Sequence, residues 1–437
     1  MHATSLTDWL PGRNVTKGGR ERLNAVGIIA EYNPLHRGHE YHIRKSRGCV
    51  ESSAVISIIS ANFVQRGMPA LTDKGLRAAM ALSCGVDLVL ELPVVYSSHN
   101  AGVFAGAAVD ILAATGLVSG ISFGMETPDL RALCALADLL NDEPPSFKAS
   151  LKNFLREGYS FVQSRSMALD MAVPGALDLL KSPNNNLALA YVKRIREKNY
   201  DIVPVAIKRA GRGFHDERLP DAPGDRSAAV ASAAAIRALM RAGEWELAYS
   251  MTPGPCAALL QEAKSGGRLV SDSGRLWRAV KQSLLRAGPE GIRAISEMGE
   301  GLENRMAAAA WRSESFESFV DACVTRRYTK GRIQRHCMHL LIGLGHDESR
   351  AFQRGGPAYI RVLGAGETGR RLLALMRDRA SLPVISKASV PKGSQGAPDY
   401  ASRMMEIEHR ATELWETLTD CPNTRSEARR VPVMFRA

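Results

Sequence analysis

The feature that most constrains this chain is an alternation, through its first half, of short apolar runs with segments of helical spacing. Residues 25–30, 54–60, 87–92, 120–123 and 202–207 are apolar or β-branched runs of strand length. Between them, residues 73–84 set Leu76, Met80 and Leu82 among alanines at helical spacing, and residues 101–115 form a second such segment. Strands separated by helices pair through crossovers, so the alternation predicts a parallel sheet with helices on both faces. Near-continuous apolar strands fit a sheet that is buried on both sides. Past residue 241 the strand signal fades. Residues 257–264, 274–287, 303–311, 316–325 and 331–345 read as helices, interrupted by strand-like runs at 358–363 and 382–385. The expected organisation is an α/β domain with a parallel sheet at 25–245 and a mainly helical domain at 246–437. Residues 1–24 are polar, rich in Gly and Arg and aperiodic, and read as a disordered extension or a misassigned start.

Composition narrows the function classes. A length of 437 residues suits two or three domains, at about 150 residues each. No run of 18 apolar residues exists, and Asp87 and Glu91 punctuate the most apolar strand, so a membrane span is not expected. Arg13, Lys17, Arg20 and Arg22 break up the N-terminus, which lacks the apolar core of a signal peptide. Seven cysteines, an odd number with no Cys-x-x-Cys pair, suit a reduced cytoplasm. The net charge of +12 is uneven: residues 251–437 hold 29 Lys/Arg against 20 Asp/Glu, and residues 321–380 hold 12 against 5. Such a basic block is the footprint of a polyanionic partner.

The chemistry-bearing signal is Val26-Gly-Ile-Ile-Ala-Glu-Tyr-Asn-Pro-Leu-His36-Arg-Gly38-His39. An apolar strand runs into a proline turn, and His36-x-Gly-His39 opens the next helix. A helix N-terminus presents unpaired N–H groups and a positive dipole end to an anion. Gly38 allows close approach of the backbone. Two imidazoles three residues apart can donate to α-phosphate oxygens as charge builds during displacement.

His36-Arg-Gly-His39 after a first strand resembles the nucleotidylyltransferase superfamily with its HxGH signature. The longer run Glu31-Tyr-Asn-Pro-Leu-His-Arg-Gly-His-Glu-Tyr-His42 closely resembles the bacterial tRNA(Met) cytidine acetate ligase family. Further matches follow in order: Asn62-Phe-Val-Gln-Arg-Gly67, Asp87-Leu-Val-Leu-Glu-Leu-Pro93, Phe123-Gly-Met-Glu126, Ser182-Pro-Asn-Asn185, Ile207-Lys-Arg209, Arg326-Arg-Tyr-Thr329 and Tyr359-Ile-Arg-Val-Leu-Gly364.

The resemblance implies a Rossmann-like HxGH domain with a parallel sheet, followed by a mainly helical, basic tRNA-binding domain. It implies an ATP-dependent ligase that activates acetate as acetyl-adenylate, releases pyrophosphate and acetylates N4 of the wobble cytidine of elongator tRNA(Met). Mg2+ assistance is expected, and no protein metal site. The implied ATP contacts are Ile29, Ala30, Glu31, Tyr32, Asn33, Pro34, Leu35, His36, Arg37, Gly38, His39, Glu40, Tyr41 and His42, with His36 and His39 catalytic. Gly124, Asn185 (in preference to Asn184), Arg209 and Ala210 complete the set. Ser232 and Arg237 resemble the superfamily's second phosphate element, although Ala234 stands where the family tends to place Thr. Met68, Gly75 and Gly102 depart from the family's Glu, Trp and Glu. Arg326, Arg327, Lys330, Arg332 and Arg335, interleaved with Tyr328, read as an RNA-binding cluster in which lysine and arginine track phosphates and the tyrosine stacks or hydrogen-bonds. Glu126 and Asp87 are candidates for a general base.

Two other patterns in the sequence point elsewhere. Gly364-Ala-Gly366-Glu-Thr-Gly369 after a strand matches a dinucleotide fingerprint, but no acidic residue follows at the required interval near 388–390. His336-Cys337-Met-His339 fits no zinc module. Its helical spacing sets both histidines beside Arg332 and Arg335, as a polar or phosphate-facing side. The competing enzyme class is a nucleotidylyltransferase that joins AMP to a phosphorylated small molecule; a tRNA-binding protein with a vestigial ATP site is the non-enzymatic alternative.

Overall fold

The apolar runs become strands β1 (Ala25–Ala30), β2 (Ala54–Ser60), β3 (Leu88–Leu92), β4 (Val118–Met125) and β5 (Val203–Lys208) in a computed structural model of the chain. It describes residues 24–51, 54–159, 161–209, 231–388, 400–421 and 427–435. All but the last residue of the expected 1–24 extension therefore lies outside the described residues. The five strands are mutually parallel in the order β5-β4-β1-β2-β3. Every residue of β2 and β3 is buried, as expected for a sheet covered on both faces. The strand order reverses direction between β1 and β4. At such a switch point, loops diverging from the carboxyl ends of neighbouring strands open a crevice for ligands.

Helix boundaries follow local capping chemistry. Helix α1 (Arg37–Ser46) starts at His36, whose Nδ1 accepts from Gly38 N. Helix α2 (Lys74–Ser83) starts at Asp73, whose Oδ1 accepts from Leu76 N at 3.0 Å. The helix Ala101–Ala114 starts at Asn100, which accepts from the N–H groups of Gly102 and Val103. Gly27 lets that helix lie against β1, since a Cβ there would sit 2.8 Å from Leu112 Cδ1. The helix expected to stop at 287 runs over Ser273–Arg293, through a break at Gly288.

The strand-like runs past residue 350 belong to this same sheet. Strand β6 (Ile360–Ala365) pairs antiparallel with β3, and β7 (Val384–Ile385) and β8 (Val433–Met434) both pair parallel with β6. The helix Tyr400–Glu416 packs on the same core, where Trp415 Nε1 donates to Ala70 O at 2.8 Å. The boundary expected at 245/246 is thus crossed by both the sheet and the core.

A buried ion cluster fastens this junction. Lys74 Nζ meets Glu91, Glu408 (2.7 Å) and Glu427 (2.6 Å), and Arg361 Nη1 meets Glu91 at 2.9 Å. These groups come from α2, β3, β6 and two C-terminal segments, and all are buried. Arg430 Nε stands 3.4 Å from Glu427, so three cations face the three carboxylates, and burial with the neighbouring Glu91 raises the Glu408 carboxyl to about 8. Glu91 and Glu427 are instead held below the ordinary carboxylate value by the cations beside them, so Glu408 is the carboxyl of the three that takes up a proton most readily.

Candidate active site

The HxGH turn sits where β1 ends, at the switch point. Glu31 and Asn33 anchor it to neighbouring elements. Glu31 Oε1 accepts from Gln65 N (3.0 Å), and Asn33 Oδ1 accepts from Leu71 N (2.8 Å). The buried Arg77 of α2 donates to Glu31 O (2.9 Å), Ser60 O (2.9 Å) and Ala61 O (2.6 Å), tying together the carboxyl ends of β1 and β2. Tyr32 holds a left-handed φ of 49°, uncommon for a bulky side chain, and its ring meets the edge of His39 at 5.1 Å.

The two motif histidines stack, with centroids 3.8 Å apart. Their Nδ1 atoms are already acceptors: His36 Nδ1 takes Gly38 N–H at 3.0 Å, and His39 Nδ1 takes His36 N–H at 3.3 Å. A neutral imidazole that accepts at Nδ1 carries its proton on Nε2. Desolvation, reinforced by Arg209 and Arg237, lowers His36 to about 3. Desolvation also takes His39 well below its ordinary value, with His36 and Arg209 adding to it. Both rings are therefore neutral Nε2–H donors at physiological pH. One turn on, His42 is lowered to about 4 by desolvation and Arg209, and its Nε2 lies 2.8 Å from Ser122 Oγ on β4.

Across the crevice, Gly124 near the end of β4 lets the Arg209 side chain lie flat over the strand; a Cβ there would be 3.0 Å from Arg209 Cγ. Glu126 orients the opposite wall. It accepts from Ser182 Oγ and from Asn184 Nδ2 (2.5 Å), and it pairs with Arg209 Nε at 3.7 Å. Arg237 donates to Asn33 O, which brings the 233–241 helix against the HxGH turn. His36, His39, His42, Gly124, Arg209 and Arg237 therefore converge on one crevice.

Other expected site residues are placed differently. Arg37 is turned away, its N–H and guanidinium donating to Met251 O and Ser250 O. The Asn185 amide nitrogen donates to Leu179 O (2.8 Å), and its Oδ1 is buried without a hydrogen-bond partner among the described residues. Ser232 is an N-cap, accepting from Ala235 N at 3.1 Å. Ala210 lies outside the described residues. Asp87 precedes β3, on the edge of the sheet opposite the crevice, where it binds Val55 N (2.7 Å) and Arg47 (2.7 Å). That position removes it as a general base. Sequence reasoning missed Arg77 and Gln65; the Asn62–Gly67 motif match was the available signal for the second.

The signals outside the HxGH domain resolve on structural grounds. His336 and His339 are buried rather than phosphate-facing, and His339 Nε2 lies 2.7 Å from Ser98 O. Their helix, Lys330–Ile342, turns that face into the core because the apolar Ile333, Cys337 and Ile342 go with it. Tyr328 is likewise buried, its hydroxyl donating to Glu300 O, and does not present a ring for stacking. Gly369 serves close packing: a Cβ there would meet Asp87 O at 2.0 Å. Among the described residues no group of three His, Cys, Asp or Glu side chains could hold a metal, and no helix is long and apolar enough to cross a membrane.

Comparison with known proteins fits this geometry. A family model described as HIGH Nucleotidyl Transferase matches residues 23–430. A Clostridium perfringens protein named tRNA(Met) cytidine acetate ligase is 32% identical over 423 residues, spanning 95% of this chain and all of that protein. A Caldanaerobacter subterraneus protein of the same name is 35% identical over 399 residues, spanning 90% of this chain and 95% of its own. The chain belongs to the tRNA(Met) cytidine acetate ligase family, within the HIGH nucleotidyl transferases. Family resemblance extends to the fold. The crystal structure of apo Thermotoga maritima TmcAL is similar with a TM-score of 0.86 at 30% identity, covering 95% of this chain and all of that one. A second structure of that protein, bound with alpha-thio ATP, has a TM-score of 0.85 at 29% identity.

Proposed function

We propose that this chain is an ATP-dependent ligase that adenylates acetate and transfers the acetyl group to N4 of the wobble cytidine of elongator tRNA(Met), giving N4-acetylcytidine. The observation that carries the reading is the pair of neutral Nε2–H donors, His36 and His39, facing Arg209 and Arg237 at the switch point. In the first step an acetate oxygen attacks the α-phosphorus of ATP, the bond to the bridging oxygen breaks, and pyrophosphate departs. His36 and His39 donate to the α-phosphate oxygens as charge builds on them. Gly38 and the α1 N-terminus offer backbone N–H groups, and Arg209 and Arg237 offset the β- and γ-phosphate charge. In the second step the cytidine N4 attacks the acyl carbon, AMP leaves, and N4 loses one proton. Ile29 through His42, apart from the outward-turned Arg37 side chain, with Gly124, Asn185, Arg209 and Ala210, are the proposed ATP-binding set; Arg237 lies toward the phosphates, and Ser232 caps the helix that carries it.

Mg2+ would enter on the ATP phosphates, whose oxygens supply ligands that the described residues do not cluster, and when bound it offsets their charge. Arg326, Arg327 and Lys330, exposed at the start of the 330–342 helix, are the proposed tRNA-backbone contacts, together with Arg332 and Arg335. A reduced, cytoplasmic setting fits seven free cysteines. The test is incubation of the enzyme with labelled acetate, ATP and unmodified tRNA, reading acetyl-adenylate, pyrophosphate and N4-acetylcytidine. Pyrophosphate release that needs a phosphorylated acceptor instead of acetate would establish the plain nucleotidylyltransferase class. A strict requirement for acetyl-CoA would overturn the ligase mechanism.

A further inference from the structure

Behind the HxGH turn lies a pair of thiols that the proposed reaction leaves unused. Cys84 is the C-cap of α2, Cys256 stands in the first turn of the helix Gly254–Ser265, and their sulfurs are 3.4 Å apart. Both cysteines are free, Cys84 half-buried and Cys256 fully buried. Cys256 packs in one core with Tyr32, Leu35 and Ile43, the residues on which the turn and α1 rest. Both thiols lie within electrostatic range of Tyr32, whose hydroxyl accepts from Ser57 Oγ at 3.2 Å and whose ring meets His39. Glu40 of α1 is within the same range of both.

The two sulfurs are not equivalent. The hydrogen bond from Cys256 holds the Cys84 thiol below its ordinary value, and the same bond, with burial, pushes Cys256 up. Cys84 is thus the member that forms a thiolate, and it is also the one that solvent reaches. Cys256 waits behind it at contact distance. Thiolate character, access and a resolving thiol in contact are what a reversible oxidation site requires. Cys323 and Cys337 are also within electrostatic range of each other, but both are fully buried, so no small oxidant reaches either sulfur.

We infer that Cys84 and Cys256 are a reversible oxidation site that closes to a disulfide by exchange with low-molecular-weight disulfides, and that the bond weakens ATP binding. The Cys84 thiolate attacks one sulfur of the small disulfide, a mixed disulfide forms on Cys84, and one small thiolate leaves. Cys256 then attacks Cys84 Sγ and expels the second. Each protein thiol gives its proton to one departing thiolate, so the protein loses two hydrogens and two small thiols are made. A disulfide bond is about 2.05 Å long, so closure from 3.4 Å draws α2 and the helix Gly254–Ser265 toward each other. α2 carries Arg77, which ties the ends of β1 and β2, and Ser250 and Met251, just ahead of the other helix, hold Arg37. Movement of either helix therefore reaches the turn that bears His36 and His39.

The coupling to ATP rests on the proposed function; the bond itself does not. In the full-length protein, Cys49→Ser and Cys421→Ser together remove the other accessible thiols and leave five of the seven cysteines. Glutathione disulfide should lower the free thiols of the denatured protein from these five to three, digestion should find the Cys84 and Cys256 peptides joined, and dithiothreitol should restore all five. In the same background Cys256→Ser should stop with one glutathione on Cys84, and Cys84→Ser should not react. Oxidation should weaken ATP binding by about fivefold, the low end of coupling between two sites, and leave Cys84→Ser unaffected. An unchanged thiol count, a bond to another cysteine, or glutathione left on Cys84 with Cys256 present would overturn the site, as would reaction of Cys84→Ser at Cys256. A bond that forms with ATP affinity unchanged would overturn the coupling. If the reduced protein binds no ATP, the functional reading fails instead, and the thiol counts still judge the bond.

Discussion

The double engagement of His36 makes a sharp separation possible between its structural and its chemical role. Its Nδ1 caps α1 by accepting Gly38 N–H at 3.0 Å, while Nε2–H is left for substrate. Alanine removes both functions. Asparagine keeps a short acceptor where Nδ1 stood, is a favoured N-cap residue, and has no donor at the Nε2 position. Losing the cap costs about 1 kcal/mol, so His36→Ala should lower unfolding stability by about that much, and His36→Asn by less than about 0.5 kcal/mol. Losing a donor to the transition-state charge costs about 2.7–4 kcal/mol, or 10²–10³-fold in rate, so both variants should lose acetyl-adenylate formation equally. His39→Asn should behave alike, because its Nδ1 accepts His36 N–H. Urea denaturation and acetate-dependent exchange of labelled pyrophosphate into ATP supply the two readings. Wild-type exchange by His36→Asn would refute the donor assignment, and equal stability loss in the Asn and Ala variants would refute the capping account.

Four other outcomes follow from particular contacts. Lys74→Met leaves Glu91, Glu408 and Glu427 facing only Arg361 and Arg430 and should cost about 3–5 kcal/mol; Glu408→Gln, at the carboxyl of the three whose charge burial disfavours most, should cost less than Lys74→Met, and denaturation midpoints compare them. Gly369→Ala drives a methyl into Asp87 O and should destabilise by about 1–3 kcal/mol, while titration of the wild type with NADH should show no binding. Desolvation lowers His36 and His99 to about 3, and His42 and His339 to about 4. Their contribution to stability is complete above the unfolded value of about 6.5 and is lost as pH falls toward the folded values. Unfolding free energy measured at pH 7.5 and 5.5 should drop by about 1 kcal/mol per histidine, and a flat profile would contradict the neutral assignment. The triple variant Arg326→Ala, Arg327→Ala, Lys330→Ala should weaken tRNA binding and flatten its salt dependence with ATP affinity kept; an unchanged slope would mean these side chains only face solvent.

What the sequence determined by itself is what neighbouring residues decide among themselves. The apolar runs, their crossover spacing and the strand–proline–histidine turn specify a parallel sheet with an anion-binding helix start. Pleat, helical period and capping act over a few residues of chain, so these features are legible locally. Asp73 and Asn100 cap their helices as such residues do, and the expected helix over 73–84 differs from α2 only by its two caps. Tertiary structure decided everything that depends on distant segments meeting. β6 reads as an isolated strand in a helical region, yet it extends the sheet because β3 offers an open edge and the cluster around Lys74 satisfies the charges buried there. Cys84 and Cys256, 172 positions apart, bring their sulfurs to 3.4 Å without any spacing that announces it. The histidine pair at 336 and 339 shares a face with arginines in sequence, but which side of a mixed helix is buried depends on the surface it packs against. The switch-point crevice shows the same division: His36 and His39 are written close together, and Arg209 and Arg237 reach them only through the fold.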